Sequence, residues 1–224
     1  MSTLTTLKRF ITRRQLRTGG LALIVSFGCV SAALAEKNVP LDTKLCTLES
    51  PLLAETFSHS LRKSLQTVKG QWNIVDGTLR GKELAADKHA AVLNCDYENR
   101  NSAVRFSFKL DGSTEGLQFS LNHARGHLFR VVVSPTAMTV MLDKDKKDPN
   151  SKAVQLGSTK GVFEQGKWYT MQIEIVGDKV YAQTDNGVRV QATHASLDTV
   201  KPNYRFVMRG DSLSIDDLHI WELK

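Results

Sequence analysis

Cysteine is scarce in this sequence, with three in 224 residues. That excludes a small scaffold stapled by a dense set of disulfides. No apolar stretch gives the roughly 20 residues that a membrane-crossing helix needs. The best candidate, Leu21–Val30, is short and interrupted by Gly28. No segment recurs at a fixed period, which excludes propellers and solenoids. A Gly-rich phosphate loop, a Gly-x-Ser-x-Gly elbow and a His-Glu-x-x-His helix are all missing. With them go the local signatures of nucleotide binding, serine hydrolysis and zinc proteolysis.

What is present begins with a leader. Lys8, Arg9, Arg13, Arg14 and Arg17 precede the apolar stretch, and Ala33-Leu34-Ala35 follows it. That order predicts a signal peptide over 1–35, cleaved after Ala35, and an exported protein, periplasmic or extracellular. An uncleaved anchor would call for a longer run. Thr12–Arg17 resembles a twin-arginine motif, with Leu16 where Phe is usual; by that route the domain folds before it crosses. Cys29 lacks the aliphatic residue expected three positions earlier at a lipoprotein site. After processing, no membrane span is expected.

The leader also distorts the charge. The whole chain carries 30 Lys and Arg against 23 Asp and Glu, net +7. Five of those cations and no anions lie in the leader, so 25 oppose 23 in the remainder, net +2. No basic stripe interleaved with aromatics remains, so no nucleic-acid partner is expected. The remaining 189 residues suit one β-sandwich or barrel. Cys29 leaves with the leader, and Cys46 and Cys95 form an even pair. A disulfide between them is expected in an oxidising compartment, closing a loop of about 50 residues worth roughly 4 kcal/mol. The rival arrangement is two free buried thiols.

Residues 36–54 form a lead-in with Pro40, Pro51 and no clear period. Leu61 and Leu65, with Lys and Arg between, suggest a short helix over 60–68. Strand alternation then takes over. Gln71–Val75 and Thr78–Arg80 flank Asp76-Gly77, a hairpin signal. Val104, Phe106, Phe108 and Leu110 share one face, with Arg105, Ser107 and Lys109 on the other. Leu117, Phe119 and Leu121 repeat the pattern. Tyr169, Met171, Ile173 and Ile175 lead a three-strand meander through Gly177-Asp178 and Asn186-Gly187, the latter expected as a type I′ turn. The last strand runs from Leu213 to Leu223, with a bulge expected at Asp216-Asp217. Many short alternating strands with regular turns indicate an antiparallel all-β sandwich over 55–224.

Three segments carry a family resemblance. Gly70–Leu79 resembles the "G-x-W-x-v-x-d-G-x-L" opening of concanavalin A-like, LamG-type sandwich domains. Gly166–Ile175 with Gly177-Asp178 and Asn186-Gly187 resembles their "G-x-W-h-x-h-x-h-x-v-x-G-d" meander. Ile215–Trp221 resembles their closing strand. The nearest family is the 3-keto-disaccharide hydrolase domain. The resemblance implies a jelly-roll β-sandwich and, by that family, hydrolysis of 3-keto-glycosides.

Catalytic residues are not evident. A glycosidase needs two carboxylates flanking one bond, and no Glu-x-Asp-x-x-Glu strand is present. Asp216-Asp217 is the densest acid pair, but neighbours on a strand face opposite ways unless a bulge intervenes. His123-Ala124-Arg125-Gly126-His127 is the most site-like cluster. A three-residue hairpin loop would set His123 opposite His127, with Asn122 and Arg125 beside them. These four are the candidate ligand-binding residues; the alternative is a solvated hairpin tip. A metal would need a third ligand that the sequence does not place, so no cofactor is expected. Asp143–Asp148 lacks the Gly and bidentate Glu of a calcium loop. Trp72, Trp168 and Trp221 could form a sugar-stacking platform, although sandwiches usually bury such residues. The expected function is non-catalytic binding of a carbohydrate or another cell-envelope component. The alternatives are the 3-keto-glycoside hydrolase and a structural envelope protein.

Overall fold

The computed structural model describes residues 37–223. The expected signal peptide, its cleavage site after Ala35 and Cys29 lie outside the described residues. Fifteen strands occur among the described residues. They are β1 (Leu53–Glu55), β2 (Leu65–Lys69), β3 (Gln71–Val75), β4 (Thr78–Lys82), β5 (Ala91–Cys95), β6 (Asn101–Asp111), β7 (Gly116–His123) and β8 (Gly126–Ser134). Then come β9 (Ala137–Leu142), β10 (Val154–Lys160), β11 (Trp168–Val176), β12 (Lys179–Thr184), β13 (Arg189–Thr193), β14 (Tyr204–Arg209) and β15 (Ser212–Leu223).

The strands form two antiparallel sheets packed face to face. The first has the order β13-β12-β11-β6-β15-β4-β3, with β1 pairing the far half of β15. The second has the order β10-β9-β8-β7-β14-β5-β2. The alternation read from the sequence decides what lies between them. Phe106, Phe108, Met171, Ile173, Ile215 and Ile220 enter from the first sheet, and Phe119, Phe129, Val131, Val140, Phe206 and Met208 from the second, all without exposed surface or nearly so. Phe106 meets Phe206 edge-on at 5.1 Å and stacks on Phe119 at 6.0 Å, tying the sheets together at mid-core. Such pairs add about 0.5–1.5 kcal/mol beyond the area they bury.

Turn chemistry follows suit. Asp76 and Gly77 both take positive φ, 51° and 68°, as a type I′ hairpin requires. Asn186-Gly187 departs from the type I′ expectation: only Gly187 is left-handed, at 85°. The loop there spans Thr184–Val188, with the Gly187 N–H donating to Thr184 O. The helix expected over 60–68 is absent. Arg62–Leu65 is a turn, and Leu65 begins β2 opposite Cys95. Leu61 and Leu65 still pack on the core, so the apolar spacing was met by a turn and a strand instead of a helix.

Of the four register shifts among the described residues, two bear on the candidate residues. In β15, Asp216 opposes Ser107 and His219 opposes Arg105, so β15 carries one extra residue. Asp217 sits there at φ 49°, as expected for this acid pair. The other, in β8, has no counterpart in the sequence pattern. Leu121 opposes Phe129, but Asn122 opposes His127. Leu128 is the extra residue.

The disulfide expected between Cys46 and Cys95 is not formed; both are free thiols. Cys95 points into the core from β5. Cys46 lies on the other side of the first sheet, its Sγ–H donating to Glu174 Oε2 at 3.5 Å. A whole sheet separates them, whereas a bridge needs Cα atoms within about 7 Å. Burial pushes each thiol up to about 12, helped by the charge of Glu174 at Cys46 and of Asp96 at Cys95.

Candidate functional site

A sandwich has two outer faces, and here they differ. The outer face of the first sheet is occupied by the lead-in, which crosses it as a strap. The Asn38 N–H donates to Ser107 Oγ at 2.8 Å and the Val39 N–H to Thr170 Oγ1 at 3.0 Å. Glu174 accepts the backbone N–H groups of Lys44 and Leu45 at 2.9 and 2.6 Å. The Lys37 ammonium pairs with Asp216 at 2.7 Å, and the Trp221 indole donates to Glu49 O at 2.9 Å. Ser107, Thr170, Gln172 and Glu174 consequently have no exposed surface. A buried carboxylate is tolerated because its oxygens are filled by donors.

The strap also settles the tryptophans. Trp72 is in the core and Trp221 lies under the strap, 4 % and 5 % exposed. Trp168 is only partly accessible and is capped by the Lys37 ammonium, 4.5 Å from the ring centre. The three do not form a common platform.

The outer face of the second sheet is polar and carries a groove. Strand registers set Arg205 beside Ser120, and Ser120 beside Arg130, on three adjacent strands. At ~4.8 Å per strand the two arginine Cα atoms are about 10 Å apart. The bulge at Leu128 brings His127 to the same face. Without it, His127 would share the parity of Phe129 and Val131 and point into the core. Arg205 Nη1 donates to His127 Nδ1 at 2.8 Å. Asn122 Oδ1 lies 2.9 Å from the same nitrogen, and the Asn122 amide also reaches Asn203 at 3.2 Å. Burial lowers the His127 pKa, reinforced by Arg205, Lys146 and Arg130 and opposed by Asp143.

Two concavities meet at His127 and Asp143. The larger, about 330 Å³, is bordered by His123, Arg125, Asp143, Asp145 and Asp198. The smaller, about 150 Å³, is bordered by His89, Ser120, Arg130, Arg205 and Arg209. Since they share lining residues, they are two lobes of one groove. Charge is divided between the lobes. Asp143 is bound by Arg130 at 2.6 Å, and Asp198 by Arg100 at 2.9 Å. Arg209 reaches Glu83 at 3.4 Å. Arg205 alone of the groove's arginines beside Ser120 has no carboxylate within ion-pair distance among the described residues; its charged state is disfavoured mainly by burial.

The structure brings three of the four sequence candidates, His123, Arg125 and His127, to this groove, and sets Asn122 against His127 without lining it, with one change of partners. His127 stands opposite Asn122, and His123 opposite Gly126. The turn holds two residues, Ala124 and Arg125, and closes on Gly126 at φ 132°. Arg125 is exposed at the tip while His123 and His127 border the larger lobe. Among the described residues, no three His, Cys, Asp or Glu side chains converge in a metal-binding arrangement. Sequence reading missed Arg130, Arg205 and Asp143. The first two share outward parity with Ser120, a signal that strand alternation could have supplied. Asp143 opens a polar loop whose path no period specifies.

Two antiparallel sheets in this topology define a jelly-roll β-sandwich of the concanavalin A-like class. No family model matches the chain, and no curated protein matches it in sequence. Solved structures do share its fold. A carbohydrate-binding module, CBM66 of Bacillus subtilis, superposes with a TM-score of 0.59 at 10 % identity, covering 71 % of this chain and 96 % of the module. The CBM2 module of the evolved Dit of Lactobacillus casei BL23 phage J-1 gives 0.57 at 8 %, covering 78 % and 96 %. SCLam, a non-specific endo-β-1,3(4)-glucanase of family GH16, gives 0.56 at 10 %, covering 78 % and 91 %. At such identities the likeness is one of fold. No helix among the described residues is long and apolar enough to cross a membrane.

Proposed function

We propose that this chain is an exported, periplasmic or extracellular, β-sandwich that binds a glycan of the cell envelope or its surroundings without cleaving it. The observation that carries this reading is the asymmetry of the two outer faces. One is sealed by the chain's own strap, and the other presents an open groove of hydrogen-bonding side chains. Similarity of fold to carbohydrate-binding modules supports it. Of the groove's three carboxylates, Asp143 and Asp198 are each held in an ion pair, which leaves Asp145 without the second free carboxyl group that a glycosidase needs. Affinity gels with immobilised polysaccharides and a glycan array test the reading. Retarded migration on at least one polymer is expected, and no retention on any would overturn it.

A second reading is a hydrolase acting on 3-keto-glycosides, as the family resemblance implies. It is favoured by the meeting of His127 with Asp143, Asp145 and Asp198 around one concavity. Release of free sugar from a 3-keto-disaccharide by the purified protein, abolished in His127→Ala, would establish it.

A further inference from the structure

The groove has a chemical bias that narrows its ligand. Its lining includes no Trp, Tyr or Phe, so the stacking of sugar C–H faces on an aromatic ring is not available to it. Recognition there rests on hydrogen bonds and charge. The smaller lobe sets Arg130, Arg205 and Arg209 against one carboxylate, Asp143. Arg205 makes no ion pair among the described residues, although the charge of Asp143 acts on it, and one of its guanidinium N–H groups is committed to His127. Arg130, two strands away on the same face, divides its N–H groups between Asp143 and Gln118. A guanidinium offers five donors and matches a planar or tetrahedral oxyanion in two-point contact. The larger lobe has the opposite character. Asp145 and Asp198 border it with Asp143, which both lobes share, against the single arginine Arg125; these carboxylates accept from hydroxyl groups and repel phosphates. A polyphosphate or nucleic acid would meet repulsion in that lobe, whereas a sugar carrying both hydroxyls and one anionic group satisfies both.

We propose that the groove binds an acidic saccharide, seating a carboxylate or sulfate between Arg205 and Arg130 and the sugar hydroxyls in the aspartate-lined lobe. This rests on the glycan-binding reading and deepens it.

Calorimetry on the purified full chain at about 150 mM salt tests it. The probes are polygalacturonate for carboxylate, dextran sulfate for sulfate, laminarin and dextran for neutral sugars, and single-stranded DNA for a polyanion without the sugar pattern. Binding to at least one acidic polysaccharide is expected, and the two acidic arms distinguish carboxylate from sulfate. Arg205→Gln should weaken it by about 10- to 100-fold, as expected for a lost charged hydrogen bond. Lys179→Gln, exposed at the start of β12 in the other sheet, should leave it within about twofold. Thermal unfolding verifies that each variant is folded. Should Arg205→Gln not fold, Arg130→Gln and the salt dependence of the unsubstituted chain decide. Acidic-ligand affinity must then fall with added salt. Binding to neutral polymers alone would overturn the inference and leave glycan binding standing. Binding to none of the saccharides would remove both. Equal affinity for DNA, or acidic binding indifferent to both arginine variants, would also overturn it.

Discussion

Replacing Glu174 with Gln should loosen the N-terminal strap more than any other single change of equal size. Its carboxylate, without exposed surface, accepts from Lys44 N, Leu45 N, Gln172 Nε2 and Cys46 Sγ. Gln keeps the volume but removes the charge from every one of these bonds. It also turns one acceptor into a donor, which then faces either Leu45 N–H and Cys46 or Gln172 and Lys44 N–H. Charged hydrogen bonds contribute about 1.5–3 kcal/mol each, so losing two costs roughly 3–6 kcal/mol. Two effects reduce that figure: neutral Gln is easier to bury than a carboxylate, and the strap can peel away and rehydrate its N–H groups. The net expectation is about 2–4 kcal/mol, or roughly 5–15 °C in the thermal midpoint for a domain of this size. The thiol of Cys46 provides a local reporter. Burial and the charge of Glu174 hold it at about 12. Loss of that charge and of the strap contact should speed its reaction with Ellman's reagent, with peptide mapping to separate it from the other cysteines. Wild-type stability together with a wild-type labelling rate at Cys46 would refute the role assigned to Glu174.

Two further outcomes are expected. Lys201 is buried, its ammonium donating to Arg100 O and Thr199 O at 2.7 Å each, and burial lowers its pKa from 10.5 to about 8. The unfolded chain therefore holds the extra proton above about pH 8, and stability should rise by up to about 1.4 kcal/mol between pH 8 and 9. Above pH 9 the raised thiols act in the opposite sense, so urea unfolding should show a rise, then a fall; Lys201→Met should lack the rise. Dithiothreitol should leave the unfolding midpoint unchanged, since the free thiols have no bridge to lose; a disulfide closing that loop would register as roughly 4 kcal/mol.

The sandwich was legible because its strands alternate cleanly. Val104, Phe106, Phe108 and Leu110 must share a face, and burying them requires a second sheet. The expected Asp216-Asp217 bulge was also visible, since two acids in succession resist a strict in-out pattern. The Leu128 bulge was not, because His127, Leu128 and Phe129 read as an unbroken strand. That one residue changes the partner of His127 from His123 to Asn122 and turns its ring from the core to the groove. The strap escaped for another reason. Its donors and acceptors are some 70 to 180 residues apart in sequence, and no local period encodes such pairs. The short helix over 60–68 was misread because two leucines four apart satisfy a helix and a turn-plus-strand equally well. Cys46 and Cys95 were paired by count, and count says nothing of the sheet between them.

The strap has a consequence for the order in which the molecule assembles. Its residues are synthesised before any strand of the sandwich, yet its anchors are Ser107, Thr170, Glu174, Asp216 and Trp221. The last two of these lie in β15. A segment made before every strand is therefore fully seated only once β15 is in place. Loop closure over such separations comes late in folding. A chain stopped before β15 would lack the Asp216 and Trp221 anchors while keeping those of Ser107, Thr170 and Glu174, so the two ends of the strap, at Lys37 and Glu49, report on completion of the domain.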